Sequence, residues 1–151
     1  MSRMTLVDFS YRLKKRLWSD EVLALIPHFG WNDGGCRSLM KAFVLWFDSE
    51  ELRTYQIVKS PDHYHSEHAF VRIGDWFLDG DGVSGFNQME HRWLYEEGLA
   101  RVIIREFDPD TEPVHTNGEV PLYIADDLIE KLVRFLDEHF DKNEVLHLLE
   151  T

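Results

Sequence analysis

Apolar residues open the chain at steps of three and four, Leu6, Phe9, Leu13 and Leu17, with Arg12, Lys14, Lys15 and Arg16 mostly between them. That spacing gathers one apolar stripe and predicts a helix from about Thr5 to Trp18. Ser19, followed by Asp20 and Glu21, reads as an N-cap with an acidic first turn. Leu23 and Ile26 then give a brief second helix that Pro27 stops. The run HFGWNDGGC crowds Gly30, Asn32, Asp33, Gly34 and Gly35 together, as loops do. Beyond it Cys36, Leu39, Met40, Phe43, Val44 and Phe47 return to helical spacing, so a largely buried helix begins at Cys36.

The period then changes. Leu52 to Lys59, His68 to Ile73 and Trp76 to Asp79 suit strands, the last two joined across Gly74-Asp75 in a tight hairpin, and Arg101 to Phe107 supplies a fourth. Gly80 to Gly98 is less regular, with a short helix around Gln88 to Glu96. From Leu122 onward, Leu128, Ile129, Leu132, Leu136 and Phe140 trace a firm helical stripe behind Pro121, and Asn143 to Leu149 adds one or two turns. With no internal repeat or linker, the expectation is a single α+β domain over residues 1–151. N-terminal helices and a cysteine-bearing helix pack on a small antiparallel sheet of about four strands, and a C-terminal helix completes it.

Composition narrows the partners. A formal charge of −12 argues against nucleic acid, whose phosphates require a basic surface; it is most simply a solubility feature. No apolar run approaches the roughly 20 residues of a membrane helix, and charges interrupt the N-terminal apolar stretches where a signal peptide needs an unbroken core. No membrane association and a cytoplasmic location are therefore expected. The single cysteine excludes an intramolecular disulfide and fits a thiol kept for chemistry.

Cys36 opens a helix directly after a glycine-rich turn, where unpaired N–H groups and the positive helix end lower a thiol's pKa. Those N–H groups can also hold the oxyanion of an acyl intermediate, with Asn32 and Gly35 as the candidate contributors. Against this stands the frequency with which free cysteine is simply packed. The hairpin supplies the second half of the argument. A two-residue turn at Gly74-Asp75 pairs Ile73 with Trp76 and Val71 with Leu78, and sends His68, Asp79 and Asp81 to one sheet face. Either carboxylate can then reach the imidazole. Asp79 is preferred because Asp81 lies beyond Gly80, where the strand is expected to end, and Asp81 is the alternative acid.

GGCRSLMKAF followed by HAFVRIGDWFLDGDG resembles the core of papain-like and transglutaminase-like cysteine enzymes, over roughly residues 30 to 82. In that group a Gly-rich loop leads to the nucleophile on a helix, a His opens a strand, and an Asp closes the next strand after an aromatic residue. The resemblance implies a papain-like fold, with Cys36 as nucleophile, His68 as base and Asp79 as the residue orienting the histidine, and no cofactor. It implies acyl transfer on peptide, isopeptide or side-chain amide bonds of a protein or peptide substrate. The chain departs from the group at Arg37, where many members carry Trp or Tyr, and lacks an obvious counterpart of the papain-type glutamine donor.

Other patterns are weaker. His63, His65, Glu67 and His68 offer zinc-type ligands, but at a spacing that matches no known zinc motif, so no metal is expected. Asp79-Gly80-Asp81-Gly82 lacks the further oxygen ligands of a calcium loop. Trp31, Trp76 and Trp93 could line a groove, though aromatic residues in small domains more often fill the core. The alternative function is a non-catalytic acidic protein on the same fold that sequesters a basic or nucleic-acid-binding protein partner.

Overall fold

The computed structural model of the protein describes residues 4–26, 30–32, 35–62, 66–110 and 126–150. Helix α1 (Leu6–Leu17) starts at Thr5, whose hydroxyl accepts the Asp8 N–H while the Asp8 carboxylate accepts the Thr5 N–H, a reciprocal cap. Its apolar stripe, Phe9, Leu13 and Leu17, is fully buried. Helix α2 (Asp20–Leu23) is a single turn. Ser19 holds the expected N-cap position with extended backbone and Asp20 and Glu21 follow in the first turn, but its hydroxyl makes no capping bond there and donates backward to the Arg16 carbonyl at 2.6 Å. Helix α3 (Cys36–Phe47) begins at the cysteine, as its periodicity requires, and ends on Asp48 in the left-handed conformation.

Strands β1 (Arg53–Val58), β2 (His68–Ile73), β3 (Trp76–Asp79), β4 (Gly82–Ser84) and β5 (Ile103–Glu106) form an antiparallel sheet in the order β4-β3-β2-β1-β5. The sheet thus has five strands rather than about four. The extra strand, β4, is three residues long and follows β3 across the two-residue turn Gly80-Asp81, pairing Asp79 with Gly82. A strand so short carries too few alternating positions to show a period. The irregular stretch after it holds a short helix α4 (Phe86–His91) that runs into a π-helical turn (Arg92–Glu96), so the helix expected over Gln88 to Glu96 ends where expected and begins at Phe86. The C-terminal part comprises α5 (Asp126–His139) and α6 (Lys142–Glu150). The predicted beginning of the long helix, at residues 121–125, lies outside the described residues.

Side-chain alternation gives the sheet two apolar faces. Ala69, Val71, Ile73 and Leu78 join the larger core against α1, α3, α5 and α6. Ile57, Phe70 and Phe77 turn the other way and pack with Met89 and Trp93 of α4 and the π-turn. His68 and Asp79 have the parity of Phe70 and Phe77, so they belong to this second face, whereas Cys36 arrives on α3 from the first. The three meet where the β2-β3 ladder has stopped, at Val71 and Leu78, so that the first residues of β2 have no paired strand on that side among the described residues. Among the described residues no helix is long and apolar enough to cross a membrane.

Candidate active site

His68 opens β2 at a local irregularity. Ile57 is its register partner, yet the Glu67 N–H also donates to the Ile57 carbonyl, at 2.8 Å, so two residues of one strand oppose one of the other. Such bulges re-aim the side chain beside them. The imidazole is completely buried, and its Nε2 donates to Asp79 Oδ2 at 2.7 Å. Asp79 is 2% exposed. Its other oxygen, Oδ1, accepts the Asp81 N–H at 2.9 Å, which fixes the carboxylate from the turn it precedes. Because Nε2 is committed to Asp79, Nδ1 is the ring atom left for Cys36, and that atom has no hydrogen-bond partner of good geometry among the described residues.

Cys36 is 6% exposed and interacts with the His68 ring and with the Ala69 N–H. Ala69 lies just past the end of the β2-β3 ladder, so the thiol takes a place that a longer β3 would have filled. Burial pushes the thiol pKa up. The hydrogen bond and charge of His68, the Ala69 N–H and the charge of Arg37 outweigh it, and the pKa is lowered. For His68 burial acts downward, but the hydrogen bonds and negative charge of Asp79 and Cys36 raise it to about 9. Burial would raise Asp79; the His68 hydrogen bond, the Arg92 charge and the Asp81 N–H bring it to about 2 instead. All three directions favour a thiolate beside an imidazolium that is held by a carboxylate.

The two acids expected to compete have separated. Asp81 sits on the turn and faces away from the histidine: its Oδ2 accepts Asn32 Nδ2 at 3.1 Å and lies 3.4 Å from Arg92 Nε, with Lys14 Nζ 3.9 Å from Oδ1. The expected oxyanion contributors require correction. Asn32 directs its amide to Asp81, and at 3.4 Å to Glu97, rather than toward the thiol. The Gly35 N–H is already taken by the Gly30 carbonyl at 2.9 Å. Glycine is needed at position 35 for packing, since a Cβ there would stand 2.8 Å from the Trp31 indole. Trp31 itself is core, with its Nε1 donating to the Leu17 carbonyl at 2.7 Å.

Two further residues complete the site, and the sequence assigns neither of them to the histidine or its acid. Arg92 Nη2 donates to Asp79 Oδ2, the oxygen that also holds His68, and Trp93 stacks on the His68 ring at 4.5 Å. Both come from the π-turn; nothing in the sequence marks Arg92, and Trp93 stands out only as one of the tryptophans expected to line a groove or fill the core. Of the suspected metal ligands, Glu67 is paired with Lys59 at 3.4 Å and His68 with Asp79, while His63 and His65 lie outside the described residues. Among the described residues no group of three or more ligating side chains converges. A polar cleft of about 660 Å³, lined by Lys14, Trp18, Asn32, Asp81 and Arg92 among others, adjoins the acid side of the site. Comparison with protein-family models, curated proteins and solved structures found no match.

Proposed function

We propose that the chain is a cysteine-dependent acyl-transfer enzyme on a papain-like or transglutaminase-like α+β fold. Cys36 is the nucleophile, His68 the proton carrier and Asp79 the orienting acid. The observation that carries the reading is the completely buried His68, whose Nε2 is fixed on Asp79 at 2.7 Å while Nδ1 remains for the thiol. Burying an imidazole on a carboxylate at one ring nitrogen and leaving the other without a well-aligned partner is costly for a purely structural histidine. It is the arrangement a thiol nucleophile needs.

In this mechanism the Cys36 thiolate attacks the carbonyl of a peptide, isopeptide or side-chain amide. The His68 imidazolium gives its Nδ1 proton to the leaving nitrogen, and the acyl-thioester then passes to water or to an amine. The Cys36 N–H, in the first turn of α3 where no intrahelical acceptor is available, is the oxyanion donor that this reading retains. The substrate is a protein or peptide segment, and the chemistry calls for no cofactor.

Iodoacetamide labelling of Cys36 against pH, in wild type and in His68→Ala, tests this reading. Labelling that persists well below the ordinary thiol pKa of roughly 8.5, and that is lost in the variant, supports the pair and justifies screening amide substrates. Slow labelling that ignores the substitution rejects it, and leaves an acidic protein that acts by binding a basic partner.

A further inference from the structure

Asp79 Oδ2 receives two cationic donors, His68 Nε2 and Arg92 Nη2. Arg92 is 12% exposed and is itself braced, its Nε 3.4 Å from Asp81 Oδ2. It is also the first residue of the π-turn, which closes with the Glu97 N–H donating to the Arg92 carbonyl at 2.9 Å. Widening a helix by one residue per turn shifts the direction of successive side chains, a device frequent at functional sites. Here adjacent residues serve one site: Arg92 meets the carboxylate and Trp93 covers the imidazole.

We propose that Arg92 is a positioning residue that acts on His68 through Asp79, drawing part of the carboxylate's charge away from the imidazole. The inference rests on the reading of His68 as the proton carrier. An imidazole facing an undivided buried carboxylate keeps its proton too firmly to return it to a leaving nitrogen, and efficient general acids lie near the working pH. A guanidinium on the same oxygen weakens that hold while leaving the hydrogen bond in place. The charged and titratable groups around the unit are Cys36 at the far side of the ring with Arg37 acting on it, Asp81 behind Arg92, and Lys14 on Asp81. Asn32 links Asp81 to Glu97. Among the described residues only Arg92 shares the oxygen that His68 uses.

The test is an NMR titration of the His68 ring nitrogens, assigned with a His68→Gln control, in wild type, Arg92→Gln and Arg92→Lys, each with and without Asp79→Asn. This readout needs neither a substrate nor a reactive thiol, so an inert Cys36 would defeat the proposed function without deciding the role of Arg92. Arg92→Gln is expected to raise the His68 midpoint by about one pH unit, the size of effect a close charge exerts through a shared partner. Arg92→Lys, which keeps a cation but not the fork, is expected to raise it by less. In the Asp79→Asn background the rise from Arg92→Gln should fall to less than half. If Arg92→Gln does not fold, the Lys variant carries the test through a rise that depends on Asp79. No rise, a fall, or a rise undiminished in the Asp79→Asn background would overturn the proposal, the last because it would place Arg92's influence directly through space.

Discussion

The indole of Trp93 lies on the imidazole of His68, with centroids 4.5 Å apart and planes inclined by 28°, and Phe70 stacks on the same ring at 5.3 Å. A histidine in this setting is shielded from water by aromatic surface while its polar edge is held by Asp79. Trp93 is 4% exposed, so its removal opens both the second apolar cluster and the site. Trp93→Ala is expected to cost about 3–5 kcal/mol in urea denaturation, the range for deleting a buried large aromatic, and to abolish rapid Cys36 labelling. Trp93→Phe should cost distinctly less. A loss below about 1 kcal/mol for the alanine variant would show that the stack does not hold the ring.

Asp79 and Asp81 are separated by one glycine and have different tasks. Asp79→Asn replaces the charged acceptor at His68 Nε2 by a neutral amide, so the imidazolium is less stabilised and the thiolate fraction falls. At pH 6 the labelling rate of Cys36 should drop about tenfold or more, the change that follows when the thiol pKa rises by roughly one. Asp81→Asn leaves the His68 hydrogen bond intact and should change the rate by no more than about threefold, since the contacts it alters are those with Asn32, Arg92 and Lys14. Equal effects of the two substitutions would contradict the assignment.

Hairpin parity makes the meeting of His68 with an acid legible in the sequence but sends both Asp79 and Asp81 to one face; what separates them is the end of β3 at Asp79, the ground on which Asp79 is preferred. With Gly74 at φ +61 in the turn, Ile73 pairs with Trp76 and Val71 with Leu78, and a slip of one residue would have sent Asp79 to the opposite face. The helix opening at Cys36 was equally legible, through apolar spacing behind a glycine-rich loop. Hydrogen-bond commitments were not. Asn32 is the right residue type for an oxyanion donor, but the turn at Gly80-Asp81 brings a carboxylate 49 positions away to its amide, and local sequence carries no trace of that. Arg92 escaped for a related reason, and Trp93, singled out only as a groove or core aromatic, could not be assigned to the histidine. A π-turn obeys neither of the periods by which helices and strands are read, so its inward residues look random.

The glycines of Asp79-Gly80-Asp81-Gly82 answer to close packing. A Cβ on Gly80 would lie 2.2 Å from Trp31 Cβ, and one on Gly82, at φ +95, would lie 2.6 Å from the Ser10 carbonyl oxygen. Trp31 also packs against Gly35, immediately before the nucleophile, so one indole spaces the acid turn from the cysteine loop. Gly80→Ala is expected to cost about 3 kcal/mol, at the upper end for overpacking, because the obstructing atom is next to the backbone. It should also slow Cys36 labelling by displacing Trp31 toward Gly35. Gly85→Ala is the control: its nearest contact would be 3.7 Å away, so it should leave both readouts near wild type.

The buried His68–Asp79 pair makes stability depend on pH in a way that can be measured without a substrate. Asp79 is lowered from 3.8 to about 2, so its contribution is present above pH 3.8 and is lost as pH falls through 2. His68 is raised from 6.5 to about 9, so its contribution is complete below pH 6.5 and is lost as pH rises through 9. Both displacements report largely one interaction, so their energies are not summed. In Cys36→Ala, which removes the thiol's own titration, urea denaturation should give a level stability between about pH 4 and 6.5. On the alkaline side it should then fall by an amount on the order of 2 kcal/mol by pH 10, since each factor of ten in a protonation equilibrium is worth about 1.4 kcal/mol. Asp79→Asn in that background should flatten the alkaline fall, because no carboxylate then favours the imidazolium. A Cys36→Ala protein equally stable at pH 6 and pH 10 would show that Asp79 by itself does not raise the His68 pKa, and one more stable at pH 10 that His68 is buried neutral once the thiol is gone.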